Sequence, residues 1–335
     1  MHICQVVASW EHGGLEKHVI ELSNELSKHH QVSVIAHPLM REHFAAAINF
    51  IALDFSQSRW SVRLHWQLQQ LLQTLKPDVI HAQANKAALL VKRIRPFLKF
   101  SARFVATLHN QKGDTSMFEG YDQVIVVSPR LAPLVKNAPT TPIYNGVRLP
   151  ALSGRNRQLL ADEFGFNSNK PVFIAVGRLV LAKGFDILIA AAAQAQVQIL
   201  IVGDGDLKAT LQAQIEQSHA AVVLAGFRTD VPQLMSAADG FILSSRHEGF
   251  AYVFVEALLA QSPILATAIP MVQDFMPPEL IVPVADVEAL ANKLTWISEH
   301  SKEWQQQMQP SFEKAQQLLT LEAMVKQTVA VYQAE

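Results

Sequence analysis

Short apolar runs rich in β-branched residues alternate with longer amphipathic stretches along all 335 residues, and the alternation runs through twice. Strands are predicted at His2–Ala8, Val32–Ala36, Asn49–Leu53, Val79–His81, Phe104–Leu108 and Gln123–Val127, then at Val172–Val176, Gln198–Val202, Ala221–Leu224, Gly240–Leu243 and Pro263–Ala266. Helical patterns fall between most of them, as at Leu15–Lys28, Val62–Leu75, Phe185–Ala195 and Leu207–Gln217. A strand followed by a crossover helix returns parallel to its neighbour, so the pattern predicts parallel sheets with helices on both faces. A polar break at Pro150–Gln158 separates the two series. The expectation is an α/β chain of two doubly wound domains, 1–150 and 151–312. A final helix over 313–335, apolar at Ala323, Met324, Val325, Val329, Val331 and Tyr332, must pack on something. Ligands of doubly wound sheets bind beyond the carboxyl ends of the strands, so a crevice between two such domains is the expected site.

Composition narrows the class. Half the residues are apolar and 17% are charged, which excludes a disordered chain. One cysteine, Cys4, excludes an internal disulfide framework and fits a reducing compartment. No apolar run reaches the ~18 residues of a membrane span, and the start lacks a basic n-region, so a cytoplasmic protein is expected. The net charge of −1 hides an asymmetry: residues 1–150 hold 16 basic against 10 acidic residues, and the rest hold 12 against 19. The basic half is expected to meet something anionic, and no nucleic-acid partner is expected. Its densest stretch carries Lys86, Lys92, Arg93, Arg95, Lys99 and Arg103 with interleaved Leu89, Leu90, Ile94, Phe97, Leu98 and Phe100. Two readings fit: a helix lying on the inner face of an anionic membrane, or a surface helix with its apolar side in the core.

Only 14 glycines occur, and nine sit at predicted strand ends or helix starts: Gly13, Gly14, Gly146, Gly177, Gly184, Gly203, Gly205, Gly226 and Gly249. Such positions allow close backbone approach to a phosphate-bearing ligand, although tight βα turns use glycine too. Neither a Gly-x-Gly-x-x-Gly fingerprint nor a Walker A sequence is present, against a nicotinamide enzyme or a P-loop NTPase. Asp204-Gly205-Asp206 resembles a metal-binding pair in spacing, but a turn and helix cap explains it better. No metal and no cofactor are expected.

Two segments carry chemistry. In Val176-Gly-Arg-Leu-Val-Leu-Ala-Lys-Gly184, Arg178 and Lys183 stand in a loop between a strand and a helix, where both can reach one phosphate group. In Ser244-Ser-Arg-His-Glu-Gly-Phe-Ala-Tyr-Val-Phe-Val-Glu256, Glu248 precedes a helix predicted to start with the turn Phe250–Val253, and Glu256 lies within it. A carboxylate there can accept two hydrogen bonds from a vicinal diol, and free first-turn amides can hold a phosphate. A cap for Glu248 and a core salt bridge for Glu256 are the plainer alternatives.

These residues resemble the retaining glycosyltransferases of GT-B fold, family 4 (glycosyl transferases group 1). Glu248 and Glu256 match the E-x7-E motif. Gly13-Gly14-Leu15-Glu16 matches the Gly-Gly-x-Glu loop, Ile143–Val147 the Asn-Gly-Val entry to the linker, Gly177-Arg178 with Lys183-Gly184 the Gly-Arg…Lys-Gly pair, and Gly226-Phe227 with Asp230-Val231 the base-side loop. The resemblance implies two facing Rossmann-like domains with the C-terminal helix packing back across the crevice. It implies that Arg178 and Lys183 hold a diphosphate, that Glu256 binds the ribose, and that Glu248 meets sugar hydroxyls. Gly249, Phe250 and Ala251 would add main-chain amides, with Gly13, Gly14, Gly177, Gly203, Gly226 and Phe227 lining the donor, and His109 would be the active-site histidine. Ala251, Gln261 and Met271 stand where members often have glycine.

The implied activity is metal-independent transfer of a sugar from a nucleotide-diphosphate-sugar, itself a substrate, to a glycan or glycolipid hydroxyl such as a lipopolysaccharide core. Two alternatives stay open: a nucleotide-sugar epimerase of the same fold, and a non-catalytic sugar-nucleotide-binding subunit of a glycan-assembly complex.

Overall fold

The computed structural model describes residues 1–10, 14–110, 113–148, 156–248 and 250–334. The chain forms two compact units, one of Met1–Gly146 with Leu318–Glu335 and the other of Val147–Gln317.

Among the described residues the first unit holds seven parallel strands: β1 (His2–Val7), β2 (Gln31–Ala36), β3 (Asn49–Ala52), β4 (Val79–Gln83), β5 (Arg103–Leu108), β6 (Gln123–Val126) and β7 (Thr140–Pro142), in the order β3-β2-β1-β4-β5-β6-β7. Both faces of the sheet are covered, which is why its strands read as near-continuous apolar runs. One face packs against α2 (Val62–Leu75) and α3 (Ala84–Ile94) through Leu64, Leu68, Leu72, Leu90 and Ile94. The other packs against α1 (Gly14–Leu26) and the last helix, Leu321–Gln333, through Val19, Leu22, Leu321, Met324 and Tyr332. The apolar stripe of the C-terminal tail is therefore buried on the first unit. Gly146 makes that fit possible, since a Cβ there would lie 2.4 Å from the Thr320 carbonyl oxygen.

The second unit repeats the plan with β8 (Val172–Val176), β9 (Gln198–Val202), β10 (Val222–Gly226), β11 (Gly240–Leu243), β12 (Ile264–Thr267) and β13 (Ile281–Val282), ordered β10-β9-β8-β11-β12-β13. In both sheets the order reverses beside the unit's first strand, between β1 and β4 and between β8 and β11. That reversal is the switch point at which doubly wound sheets open a crevice. The sheet edges hold the two strands absent from the sequence reading, β7 and β13. The first has only three residues and ends in proline, and the second has two.

Candidate functional site

Both chemistry-bearing segments of the second unit leave the sheet at its switch point, one after β8 and one after β11. The β8 segment turns through Gly177, and Lys183 folds back so that its aliphatic stem lies over that glycine: a Cβ on Gly177 would sit 3.0 Å from Lys183 Cε. The Lys183 ammonium then reaches Glu248 Oε1 at 2.6 Å, and Ser245 Oγ donates to the same oxygen at 2.7 Å. Both side chains are largely covered, at 22% and 12% exposure. Among the described residues both hydrogen bonds of Glu248 fall on Oε1 and none on Oε2.

Several contacts hold this pair in place. Ser244 Oγ donates to the Lys183 carbonyl at 2.9 Å, and Thr267 Oγ1 to the Ser245 carbonyl at 2.6 Å. Arg246 grips Asp186 with two bonds of 2.7 Å and also reaches the Leu181 carbonyl. That guanidinium holds the Asp186 carboxyl below its ordinary range, mainly by hydrogen bonding. Gly184 joins the two segments, because its φ is +65° and a Cβ would meet the Ser244 carbonyl oxygen at 2.1 Å.

Arg178 follows Gly177 and is exposed. Gly203 follows β9 and lies against Gly177, and its amide donates to the Gly226 carbonyl at 2.8 Å, so three glycines meet at adjacent strand ends. A Cβ at Gly203 would come within 1.9 Å of the Gly177 carbonyl oxygen. Phe227, just beyond β10, is 76% exposed. The helix carrying Glu256 spans Tyr252–Leu259 and is capped at Ala251 without a side-chain bond. It starts later than the sequence suggested, so Phe250 and Ala251 precede it. Glu256 is half-buried and engaged in an interaction of its own. Gly13 and Gly249 lie outside the described residues. Asp204 Oδ1 accepts from the Gly205 amide at 2.8 Å, forming the expected turn, and Asp204 pairs with Lys208 at 3.6 Å, but the helix that follows is capped at Leu207 without a side-chain bond.

The first unit has a polar network at its own switch point. Gln5, His81, Gln83 and Thr107 are fully or nearly fully buried in strands, with His109 just past β5, His18 on α1 and Tyr332 on the last helix. Gln5 Nε2 donates to the Tyr332 hydroxyl at 3.1 Å, that hydroxyl pairs with His81 Nδ1 at 2.7 Å, and His81 Nε2 pairs with Thr107 Oγ1 at 2.7 Å. Gln83 Nε2 donates to Gln5 Oε1 at 2.9 Å, which turns its own Oε1 to accept from His109 Nε2 at 2.9 Å. His109 thus carries its proton on Nε2 and keeps a lone pair on Nδ1. His18 packs edge-on against His109, with ring centroids 4.9 Å apart. Burial lowers His18 to about 4 and His81 to about 3, and it drives His109 well below the ordinary range, so all three rings are neutral near pH 7. Glu16, at the start of α1, accepts from Ser9 Oγ. Of this network the sequence singled out His109 as a site residue and Tyr332 only as part of the apolar tail; Gln5, His81, Gln83 and Thr107 were signalled only as polar residues in otherwise apolar strands.

The basic run of the first unit is mostly tied inward. Lys86 donates to the Phe55 and Gln57 carbonyls, Lys92 to the Ser116 carbonyl and Glu119, and Arg95 to the Gly120 carbonyl and Asp122. Arg93 lies over the Trp60 ring at 3.6 Å, Lys99 is exposed and Arg103 opens β5. Leu90 and Ile94 point into the core.

Two Rossmann-type sheets, with a cation and a carboxylate converging at the second switch point, have the architecture of a GT-B transferase. The family model for glycosyl transferases group 1 matches residues 156–314 and that for glycosyltransferase family 4 matches residues 12–149, and the chain belongs to this glycosyltransferase family. It is similar to the lipopolysaccharide core biosynthesis glycosyltransferases LpsE and LpsD of Rhizobium meliloti. LpsE is 26% identical over 70% of each chain; LpsD is 25% identical over 76% of this chain and 75% of its own. The crystal structure of Anabaena HepE in complex with UDP superposes with a TM-score of 0.81 at 22% identity, covering 99% of both chains.

Proposed function

We propose that this glycosyltransferase moves a sugar, with retention of anomeric configuration and without a metal, from a nucleotide-diphosphate-sugar to a hydroxyl of a glycan or glycolipid acceptor of the lipopolysaccharide-core type. The observation that carries the proposal is the Lys183–Glu248 pair at the β8/β11 switch point, with exposed Arg178 in the same loop as Lys183. The nucleotide in the HepE complex and the lipopolysaccharide-core relatives support the donor and acceptor classes.

Breaking the anomeric C–O bond leaves new negative charge on the departing diphosphate. Arg178 and Lys183 stabilise it through charge-assisted hydrogen bonds, Lys183 keeping Glu248 as one of its three possible acceptors. Glu248, anchored through Oε1 by Lys183 and Ser245, presents Oε2 to sugar hydroxyls, and Glu256 takes the ribose diol. The acceptor oxygen attacks on the face from which the diphosphate leaves, so the configuration is retained. In the first unit, His109 presents Nδ1 as a hydrogen-bond acceptor.

Arg178→Ala and Lys183→Ala are expected to lower turnover by about 100-fold or more, the usual cost of losing a group that stabilises transition-state charge. Arg178→Ala should leave the melting temperature unchanged because the side chain is exposed. Turnover near wild-type in both variants would remove the diphosphate assignment. Release of nucleoside diphosphate together with a glycoside product separates transfer from epimerisation and from simple binding.

A further inference from the structure

The first unit carries an outward face that none of the groups above uses. Besides Met1 and Leu39, four large apolar side chains of the described residues of this unit stand in solvent: Trp60 at 62% exposure, Val62 at 82%, Trp66 at 61% and Phe97 at 62%. Scattered exposed residues need no explanation, but these belong to one surface. Val62, Trp66, Gln69 and Gln73 recur at helical spacing on α2, opposite the buried Leu64, Leu68 and Leu72. Three contacts lay the end of α3 and the turn after it along that row. Arg93 stacks on Trp60, Gln69 Nε2 donates to the Phe97 carbonyl at 3.2 Å, and the Lys99 amide donates to Gln73 Oε1 at 3.0 Å.

The charge around this face is one-sided. From residue 55 to residue 113 there is a single acid, Asp78, against ten basic residues. Lys86, Lys92 and Arg95 are spent on carbonyls and acids of the same unit, but Arg59, Arg63 and Lys99 are exposed at the margin of the aromatic row and Arg93 covers Trp60. Tryptophan and phenylalanine flanked by arginine and lysine match a lipid–water boundary, with apolar rings at acyl-chain depth and guanidinium groups on phosphates. α2 has no acidic residue to oppose that approach.

We infer that the face formed by Trp60, Val62, Trp66 and Phe97, rimmed by Arg59, Arg63, Arg93 and Lys99, docks the protein on an anionic phospholipid bilayer. The apolar rings enter the headgroup region, and each exposed cation adds attraction that falls away within a Debye length. The docking itself does not depend on the proposed function; only its value in bringing the protein to a lipid-linked acceptor rests on that reading.

The test is co-sedimentation of the full chain with vesicles of phosphatidylcholine alone and of phosphatidylcholine mixed with phosphatidylglycerol, at low and high salt and without donor. The protein is expected to pellet with the anionic vesicles at low salt, with a blue shift of tryptophan fluorescence. Binding should weaken at least about tenfold in Trp60→Ser/Trp66→Ser/Phe97→Ser and again in Arg59→Gln/Arg63→Gln/Lys99→Gln. All six positions are exposed, so melting temperature and release of nucleoside diphosphate in solution should stay at wild-type values in both variants. Absence of wild-type protein from the anionic pellet at low salt would overturn the inference, as would undiminished binding by the aromatic variant. A concentration-dependent dimer lost in the aromatic variant, with no vesicle binding, would assign the face to a second copy of the chain. An inactive wild type that still binds vesicles through these residues would refute the transfer proposal and leave the docking face standing.

Discussion

Acidification from pH 7 to pH 5 should destabilise the first unit more than its carboxylates alone would allow. His18, His81 and His109 are buried at 4%, 0% and 8% exposure, and burial lowers all three. The unfolded chain takes up protons near the ordinary histidine value of 6.5, whereas folded His18 and His81 resist until about 4 and about 3. Because the unfolded state binds more protons, stability is complete above pH 6.5 and is lost as the pH falls below it. Integrated from pH 7 to pH 5, each ring contributes about 2 kcal/mol, so His18 and His81 together cost about 4 kcal/mol. His109 acts in the same direction. The depressed carboxyls of Asp54, Asp114, Asp186 and Asp230 act at lower pH, since their unfolded value is 3.8. With a urea slope of about 2 kcal/mol/M, the first unit's midpoint should fall by about 2 M between pH 7 and pH 5. Urea titrations at pH 7, 6 and 5, followed by hydrogen exchange of β1, β4 and β5, measure this directly. In His81→Gln the slope near pH 5 should drop by about 1.4 kcal/mol per pH unit. A midpoint that does not move between pH 7 and pH 5 would refute the neutral buried network.

Other consequences can be checked with single variants. Tyr332→Phe removes the hydroxyl shared by Gln5 and His81 and should cost about 2–4 kcal/mol in urea titration, because two buried partners lose their bonds. Gly184→Ala sets a Cβ against the Ser244 carbonyl oxygen at positive φ and should lower the second unit's melting temperature by at least about 6 °C in calorimetry. Under the proposed function, Glu256→Ala should raise the donor KM while leaving kcat little changed; an unchanged KM would contradict the ribose role.

The sheets were legible because strands buried on both faces, such as VFIAV and QILIV, have no other use for continuous β-branched sequence. The Gly-Arg…Lys-Gly and E-x7-E segments were legible because their residues lie close together in sequence and follow strands directly. The histidine network was not, because its members are distant in sequence: Gln5 and Tyr332 are 327 residues apart, and only folding makes them partners. The two readings of the basic run could not be separated from sequence for a related reason. Where a lysine points depends on which carbonyls and acids tertiary structure brings near, and Glu119 and Asp122 capture Lys92 and Arg95 from another part of the chain. The aromatic face on α2 escaped notice because Trp60 and Trp66 carry no charge to mark them and could equally have been core.

Isothermal titration of the nucleoside diphosphates UDP, GDP, ADP and TDP, each beside its own nucleoside, bears most directly on the diphosphate grip assigned to Arg178 and Lys183. One diphosphate should bind at least about 100-fold more tightly than its nucleoside, and Arg178→Ala and Lys183→Ala should each erase most of that advantage. Equal affinity for diphosphate and nucleoside, or an advantage untouched in both variants, would contradict it.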